Sequence, residues 1–257
     1  ITGMETNLAG GMHEREYADA ILDGCLECGT LGMVGDGASP KKYLIGLEAI
    51  KKRGGLGIPI FKPREYNLDI IKRFKAAEDA GAIAVGIDID AASFKTMTLK
   101  GQAVGPKTIS ELQELKSHVK VPFILKGIMN VESALAAIEA GADAIVVSNH
   151  GGRVMDHMPG TAEVLPEIAN AVGGRVKVLV DGGIREGTDI LKMLALGADA
   201  VMIGRPVCIA AFGAGQEGVS FYLREKMNEL KKAMILTGCG SIGRIDPSVI
   251  FRCKGDR

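Results

Sequence analysis

Short apolar runs that alternate with amphipathic stretches are the feature that most limits how this chain can fold. The apolar runs are CGTLGMV, LGIPIF, AIAVGID, VPFILK, AIVVS, VKVLV and ADAVMIG, and stretches between them such as VESALAAIEAG end in glycine, as helix C-termini do. Strands that are apolar throughout are buried on both faces, which is typical of a parallel sheet covered by helices. With ITGM at residues 1–4 the chain has eight predicted strands. This number favours a (β/α)8 TIM barrel over a doubly wound sheet.

We predict a single domain over residues 1–257, because no Gly/Ser-rich linker and no long run of charge interrupts the pattern. The amphipathic segment SFYLREKMNELKKAMILTG follows the last predicted strand, and we expect a C-terminal helix over residues 216–237. The chain begins at Ile1, inside an apolar run and without Met, so we expect it to be part of something longer.

Composition argues against several classes of protein. The 31 Lys and Arg residues equal the 31 Asp and Glu residues, so nothing predicts general attraction to nucleic acid or to an anionic membrane. No run of about 18 apolar residues and no basic-then-apolar leader is found. Five scattered cysteines are typical of reduced thiols in a cytoplasmic protein. Cys25 and Cys28 lack the second pair that zinc would need, so no metal is expected.

Polar side chains stand at the ends of the predicted strands, where the active groups of a barrel lie. The sixth strand is followed by SNHGGR (148–153), which contains Ser148, His150 and Arg153. The ends of the other strands supply Asp88, Lys126, Asp181, Gly204 and Arg205. Taken alone, Lys126 is as consistent with a side chain that snorkels to solvent as with a residue of the active site. Together these strand ends predict a ring of polar groups on one face.

Two glycine-rich turns, DGGIREG (181–187) and MIGRP (202–206), predict a phosphate site. Their glycines leave backbone N–H groups uncovered ahead of a helix N-terminus, where partial positive charge attracts anions. Arg185 and Arg205 can close a bidentate fork on the same anion. We therefore expect phosphate or a phosphorylated cofactor here.

The motifs SNHGGR, ILKG and DGGIREGTDILKMLALGADAVMIGRP resemble the FMN-dependent α-hydroxyacid oxidase and dehydrogenase family, which includes glycolate and lactate oxidases and mandelate dehydrogenase. The resemblance is strong over residues 121–205 and weak before Gly81. It implies FMN as cofactor, His150 as the base that takes a proton from the substrate, and Asp88 as the carboxylate that holds the imidazole. It also places Arg153 on the substrate carboxylate and Lys126 at the N1/O2 edge of the flavin. The residues it implies around the ribityl and phosphate groups are Ser148, Asp181, Gly182, Gly183, Arg185, Gly204 and Arg205.

The sequence departs from the family pattern around the substrate. The family's Phe-Gln-x-Tyr after the third strand is here Phe61, Lys62, Pro63 and Arg64. The loop DIDAASFKTMTLKG (88–101) contains no arginine where the family has a second carboxylate-binding one. We expect Lys62 or Arg64 to replace it as an anion contact, and the alternative is that both are solvated charges at the rim. The family's N-terminal segment ahead of the barrel is not seen in this chain.

The function predicted from these residues is oxidation of a 2-hydroxy acid or a related small anion, by proton abstraction at His150 and electron transfer to FMN. Two alternatives remain open: a flavin-binding barrel with little turnover, and a barrel enzyme similar to type 2 isopentenyl-diphosphate isomerase. The resemblance and the apolar positions of FYLREKMNELKKAMIL (221–236) also predict a homo-oligomer, with a tetramer expected.

Overall fold

The computed structural model describes residues 11–251, which form a seven-stranded sheet and nine α-helices. The strands are β1 (Met33–Gly35), β2 (Ile58–Phe61), β3 (Val85–Asp88), β4 (Phe123–Ile128), β5 (Ala144–Val147), β6 (Lys177–Val180) and β7 (Ala200–Val201). The helices are α1 (Glu14–Glu27), α2 (Pro40–Lys52), α3 (Asn67–Asp79), α4 (Lys95–Thr98), α5 (Ile109–Ser117), α6 (Val131–Glu139), α7 (Thr161–Val172), α8 (Gly187–Ala195) and α9 (Arg205–Leu236). Short 3-10 helices occupy Ile89–Ser93, Ile242–Arg244 and Pro247–Val249.

The strands follow one another across the sheet in chain order, and each pairs in parallel with the strand before it. A doubly wound sheet reverses its strand order part-way across, whereas a β/α barrel does not. The predicted parallel α/β fold is therefore confirmed as a curled, barrel-like sheet of seven strands. ITGM, the predicted first strand, lies outside the described residues, so closure into an eight-stranded barrel stays a prediction.

Both faces of the sheet are buried, as the continuously apolar runs predict. Between the sheet and its helices, Phe61, Phe74 and Phe123 pack in a row with ring centroids 5.9 Å and 5.8 Å apart. The opposite face carries a second apolar cluster, made of Ile58, Ile60, Ala84, Ile124, Ala144 and Val146. Because side chains alternate along a strand, β2, β4 and β5 contribute to both clusters, and polar groups are left for the carboxyl ends of the strands.

The pairing of β3 with β4 sets two of the predicted site residues side by side. Asp88 and Lys126 are register partners. The register of β4 with β5 then shifts between Lys126 and Ile128, across Gly127, whose φ is 107°. This irregularity lies against the loop that follows β3.

Helix α9 is two helices joined across a break. Ala214 and Gly215 have non-helical backbone angles, and Gly215 has φ 56°. The segment predicted as a C-terminal helix, residues 216–237, follows this break. Val207, Ala211 and Val219 of α9 bury an apolar face against α1 at Ile21 and Cys25.

Four cysteines lie within the described residues, and all four are free thiols: Cys25, Cys28, Cys208 and Cys239. Burial raises the pKa of the Cys25 thiol to about 11. Cys253 lies outside the described residues. No helix between residues 11 and 251 is both long enough and apolar enough to cross a membrane.

Candidate active site

His150 lies in the tight turn that follows β5, with its ring largely enclosed. Its φ is 58°, and Gly151 and Gly152 after it are also left-handed, at 68° and 76°. The His150 N–H donates to Ser148 Oγ at 3.1 Å, which fixes the turn. Nδ1 of the imidazole lies 3.1 Å from each carboxylate oxygen of Asp90. The other ring nitrogen is therefore left for chemistry.

Asp88, expected to hold the imidazole, is engaged elsewhere. Its carboxylate lies 2.8 Å from Lys62 Nζ and 3.2 Å from Lys126 Nζ, and all three side chains are buried. Burial opposes ionisation of the carboxyl, but Lys62 first and Lys126 next hold the pKa of Asp88 well below its usual range. The expectation that Asp88 hydrogen-bonds His150 is wrong, because two ammonium groups attract the carboxylate and Asp90 takes the imidazole.

Lys126 connects the base to the glycine-rich turns. Its ammonium donates to Ser148 Oγ at 2.9 Å and lies 3.6 Å from Asp181 Oδ2. Burial works against the charge, but Asp88 first and Asp181 next raise the pKa of Lys126 above its usual range. The alternative that Lys126 snorkels to solvent is wrong, because only 8% of the residue is exposed.

Phe94 gathers three charged or titratable groups around one ring. Lys62 Nζ lies 5.0 Å and the Arg153 guanidinium carbon 5.1 Å from the ring centroid, distances at which cations are attracted to an aromatic face. The His150 ring centroid is 5.0 Å away. Arg153 is exposed on its loop. Phe94 thus brings the predicted substrate-binding arginine to the same place as the predicted base.

Arg64 is bound to the protein itself. Its guanidinium donates to Asp36 Oδ2 at 2.7 Å, to the Gly37 carbonyl at 2.9 Å and to Gln102 Oε1 at 2.7 Å. Arg64 and Lys62 are each 3% exposed. The alternative that they are solvated rim charges is therefore wrong, and both terminal nitrogens of the Arg64 guanidinium already have partners inside the protein.

A cavity of about 550 Å³ opens beside these residues, between the loops that follow β5, β6 and β7. Its polar and glycine lining includes Asn149, Gly151, Gly152, Gly182, Gly183, Lys192 and Arg205. A Cβ at Gly151 would lie 3.3 Å from Arg205 Nη2, and one at Gly182 would lie 2.9 Å from Thr161 Oγ1. Glycine is therefore needed for the close approach of the loops.

The two predicted phosphate arginines differ in the structure. Arg205, the first residue of α9 after Gly204, lines the cavity. Arg185 turns its guanidinium to the Ile184 carbonyl at 2.8 Å and is not among the lining residues. Arg205 therefore faces the cavity, whereas the Arg185 guanidinium is hydrogen-bonded to the adjacent backbone, and the fork of both arginines on one anion stays a prediction.

Comparisons with known proteins agree with this geometry. Residues 94–252, more than half of the chain, match the family described as FMN-dependent dehydrogenase. The chain belongs to this family. A peroxisomal (S)-2-hydroxyacid oxidase of Arabidopsis thaliana is 36% identical over 221 residues, covering 73% of this chain and 60% of the relative. An L-lactate oxidase of Lactobacillus jensenii is 42% identical over 202 residues, covering 76% and 49%.

A solved structure of mandelate oxidase with benzoyl-formic acid superposes on this chain with a TM-score of 0.75 at 36% identity, covering 89% of this chain and 70% of that one. The chain spans about 60% of the length of the first two relatives it matches, which are both plant hydroxyacid oxidases.

The residues around the cavity fit FMN, the cofactor of the family. Oδ1 of Asp181 is buried and has no hydrogen-bond donor among the described residues, which suits a ribityl hydroxyl. Arg205 lines the same cavity and would supply a guanidinium for the phosphate, with Gly182 and Gly183 beside it. Lys126 supplies a buried cation between Asp181 and the His150 loop.

Sequence reasoning missed three residues of this region: Asp36, Asp90 and Phe94. Asp90 stands two positions after Asp88 in the same loop, so a second carboxylate close to the site was visible in the pattern. Nothing in the sequence marks Asp36 or Phe94, whose roles depend on contacts with distant loops.

Proposed function

We propose that this FMN-dependent dehydrogenase oxidises a small 2-hydroxy acid to the corresponding 2-oxo acid. The observation that carries the proposal is the enclosed His150 imidazole, held by a carboxylate at Nδ1 and linked through Ser148 and Lys126 to the glycine-lined cavity. The relatives named 2-hydroxyacid oxidase, L-lactate oxidase and mandelate oxidase support this class of substrate.

His150 would act as the base through Nε2. An ionised carboxylate only accepts hydrogen bonds, so Asp90 places the ring proton on Nδ1 and leaves the Nε2 lone pair for the substrate proton. A neutral imidazole is suited to this step near pH 7. The carboxylates close to it would stabilise the imidazolium that forms.

FMN, when bound, would take up the two electrons that leave the substrate carbon. Lys126 would offset the negative charge that this places at the N1/O2 edge of the flavin. The residues that would hold the cofactor are Lys126, Ser148, Asp181, Gly182, Gly183, Gly204 and Arg205, with Arg185 at the outer edge of its turn.

Arg153 would bind the substrate carboxylate, since its guanidinium stands on the His150 loop and reaches Phe94. The Lys62 ammonium also lies against the Phe94 ring and would add positive charge near the substrate carboxylate. Arg64 would act through Asp36 and the loop after β2, and would not touch the substrate.

The binding alternative is a flavin protein with little turnover. It gives no reason for an imidazole set in a left-handed turn against a carboxylate, so we favour the enzyme. The isomerase alternative would leave Arg153 without a substrate carboxylate to bind. Reduction of the flavin by substrate distinguishes both alternatives from the proposal.

We also propose a closed (β/α)8 barrel, a homotetramer and a cytoplasmic location. The exposed side chains of Phe221, Met227, Ile235 and Leu236 on α9 support an interface between copies. The free thiols support a reducing compartment, although two plant relatives are named peroxisomal. Light scattering that gives the mass of one chain at micromolar concentration would reject the tetramer.

The test is anaerobic titration of the FMN-loaded protein with a panel of 2-hydroxy acids, followed by the visible spectrum. We expect at least one acid to bleach the flavin, and the matched acid without the 2-hydroxyl to leave it yellow. A full panel that leaves the flavin oxidised would contradict the proposal and favour the binding alternative.

A further inference from the structure

Two carboxylates stand beside His150, and they are not equivalent. One side-chain atom each of Asp88, Asp90 and His150 lies within 4.8 Å of the others. Only Asp90 is hydrogen-bonded to the ring, with both oxygens 3.1 Å from Nδ1. The side chain of Asp90 is 10% exposed and that of His150 15%, so the contact is largely shielded from water.

Asp88 is prevented from taking that place by Lys62. A buried carboxylate between two buried ammonium groups cannot turn away without leaving a charge unpaired, which is strongly unfavourable. Lys62 is the closer of the two at 2.8 Å, and it stands where the family pattern has a neutral glutamine. The same two lysines argue against a metal ion in this cluster, because Asp88 is already neutralised.

The fold makes room for Asp90. It lies on the 3-10 helix Ile89–Ser93, against the irregular point of β4. A Cβ at Gly127 would lie 2.5 Å from Asp90 Cβ and 2.6 Å from its Cγ. Asp90 can therefore reach the imidazole only because residue 127 is a glycine in a left-handed conformation.

We propose that Asp90 is the positioning residue that orients His150 and balances its charge, and that Lys62 reserves Asp88 for the lysine pair. The inference rests on the proposed function of His150 as the base. Asp90, and not Asp88, would then orient the base, and Lys62, which departs from the family pattern, would hold Asp88 away from the imidazole.

Asp90→Asn tests the first half. An amide can donate to Nδ1, so we expect the ring proton to move to Nε2 and flavin reduction to slow by at least about 10-fold, because the wrong tautomer removes the lone pair that a histidine base needs. Asp156→Asn is the matched control, because it removes an exposed carboxylate from the His150 loop. We expect it to reduce flavin like the wild type.

The ring proton is read directly by ¹⁵N NMR of protein labelled at histidine, in which His150→Asn identifies one of the four signals. This measurement needs no turnover. If no 2-hydroxy acid reduces the wild-type flavin, the proposed function fails while the NMR still tests Asp90. An unchanged His150 tautomer in Asp90→Asn overturns the assignment of Asp90.

Lys62→Gln tests the second half in a double-mutant cycle. Without Lys62, Asp88 is free to turn to the imidazole, so the loss caused by Asp90→Asn should shrink by at least about 3-fold, within the coupling found in one charge network. The tautomer should also return to Nδ1–H in the double variant. Equal losses in both backgrounds, with no recovery of the tautomer, overturn the role of Lys62.

Discussion

Replacing Arg64 with alanine distinguishes a structural role from a substrate contact. The guanidinium donates to Asp36 at 2.7 Å, to the Gly37 carbonyl at 2.9 Å and to Gln102 at 2.7 Å, all inside the protein. Arg64→Ala would leave the Asp36 carboxylate, which has no exposed surface, without its closest counterion. We expect this to lower the free energy of unfolding and to leave substrate affinity in the folded protein largely unchanged.

The size of the loss in unfolding free energy depends on the partners that Asp36 still has in the variant. Removing one partner of a buried ion pair costs about 3–5 kcal/mol. Asp36 would still accept from the backbone N–H groups of Gly37 at 2.7 Å and Lys62 at 3.2 Å, with Arg73 at 3.8 Å. The loss should therefore lie near the lower end, about 3 kcal/mol. For a chain of this length that lowers Tm by about 6–12 °C.

Thermal and urea unfolding measure the effect. The matched control is Arg15→Ala, which breaks an equally short but exposed pair with Glu48 and should cost less than about 1 kcal/mol. Asp36→Ala combined with Arg64→Ala should recover part of the loss, because the fully buried carboxylate is then removed together with its closest counterion. If Arg64→Ala keeps the wild-type Tm but raises KM, the guanidinium is a substrate contact and this reasoning is refuted.

Three further outcomes are expected. Gly182→Ala should weaken FMN binding at least about 10-fold, because the added Cβ is strained at a positive φ and lies close to Thr161 beside the cavity. Gly174→Ala is the control, because Gly174 also has a positive φ but has open space around it. Equal affinities of the two variants for FMN in a fluorescence titration would contradict this expectation. Arg205→Ala should weaken FMN binding by about 1–3 kcal/mol and Arg185→Ala by less, and the reverse order would place the phosphate at the other turn. The pKa of Asp88 lies below its ordinary value of 3.8, so its contribution to the free energy of unfolding is present above about pH 4 and is lost as the pH falls further. The free energy of unfolding, measured in urea at each pH from 6 to 2, should therefore fall less steeply with decreasing pH in Asp88→Asn than in the wild type. The same pH dependence in both proteins would contradict the depressed pKa of Asp88.

The sheet could be predicted because its signal is local. Each strand is marked by its own apolar run, and most of the following helices by a glycine at the end, with Ile109–Ser117 as an exception, so no knowledge of distant residues is needed. The ends of the strands also followed from this pattern, which is why Lys126, His150 and Arg205 lie around one region of the structure.

The pairing of charges could not be predicted, because it depends on competition between distant groups. Asp88 can pair with an imidazole or with an ammonium, and in the structure it pairs with Lys62, 26 residues away in the chain. Arg185 shows the same limit at shorter range, since its own backbone carbonyl competes with the expected anion. Sequence spacing brings such groups within reach of each other but does not rank their partners.

The backbone at position 150 restricts which residues can evolve there. A φ of 58° is readily adopted by Gly, Asn, Asp and His, and is unfavourable for branched and bulky side chains. A lineage that gave up the base while keeping the shape of this turn would therefore drift toward asparagine, aspartate or glycine. The same geometry makes His150→Asn a cleaner removal of the imidazole than His150→Val, because the loop that carries Arg153 keeps its path.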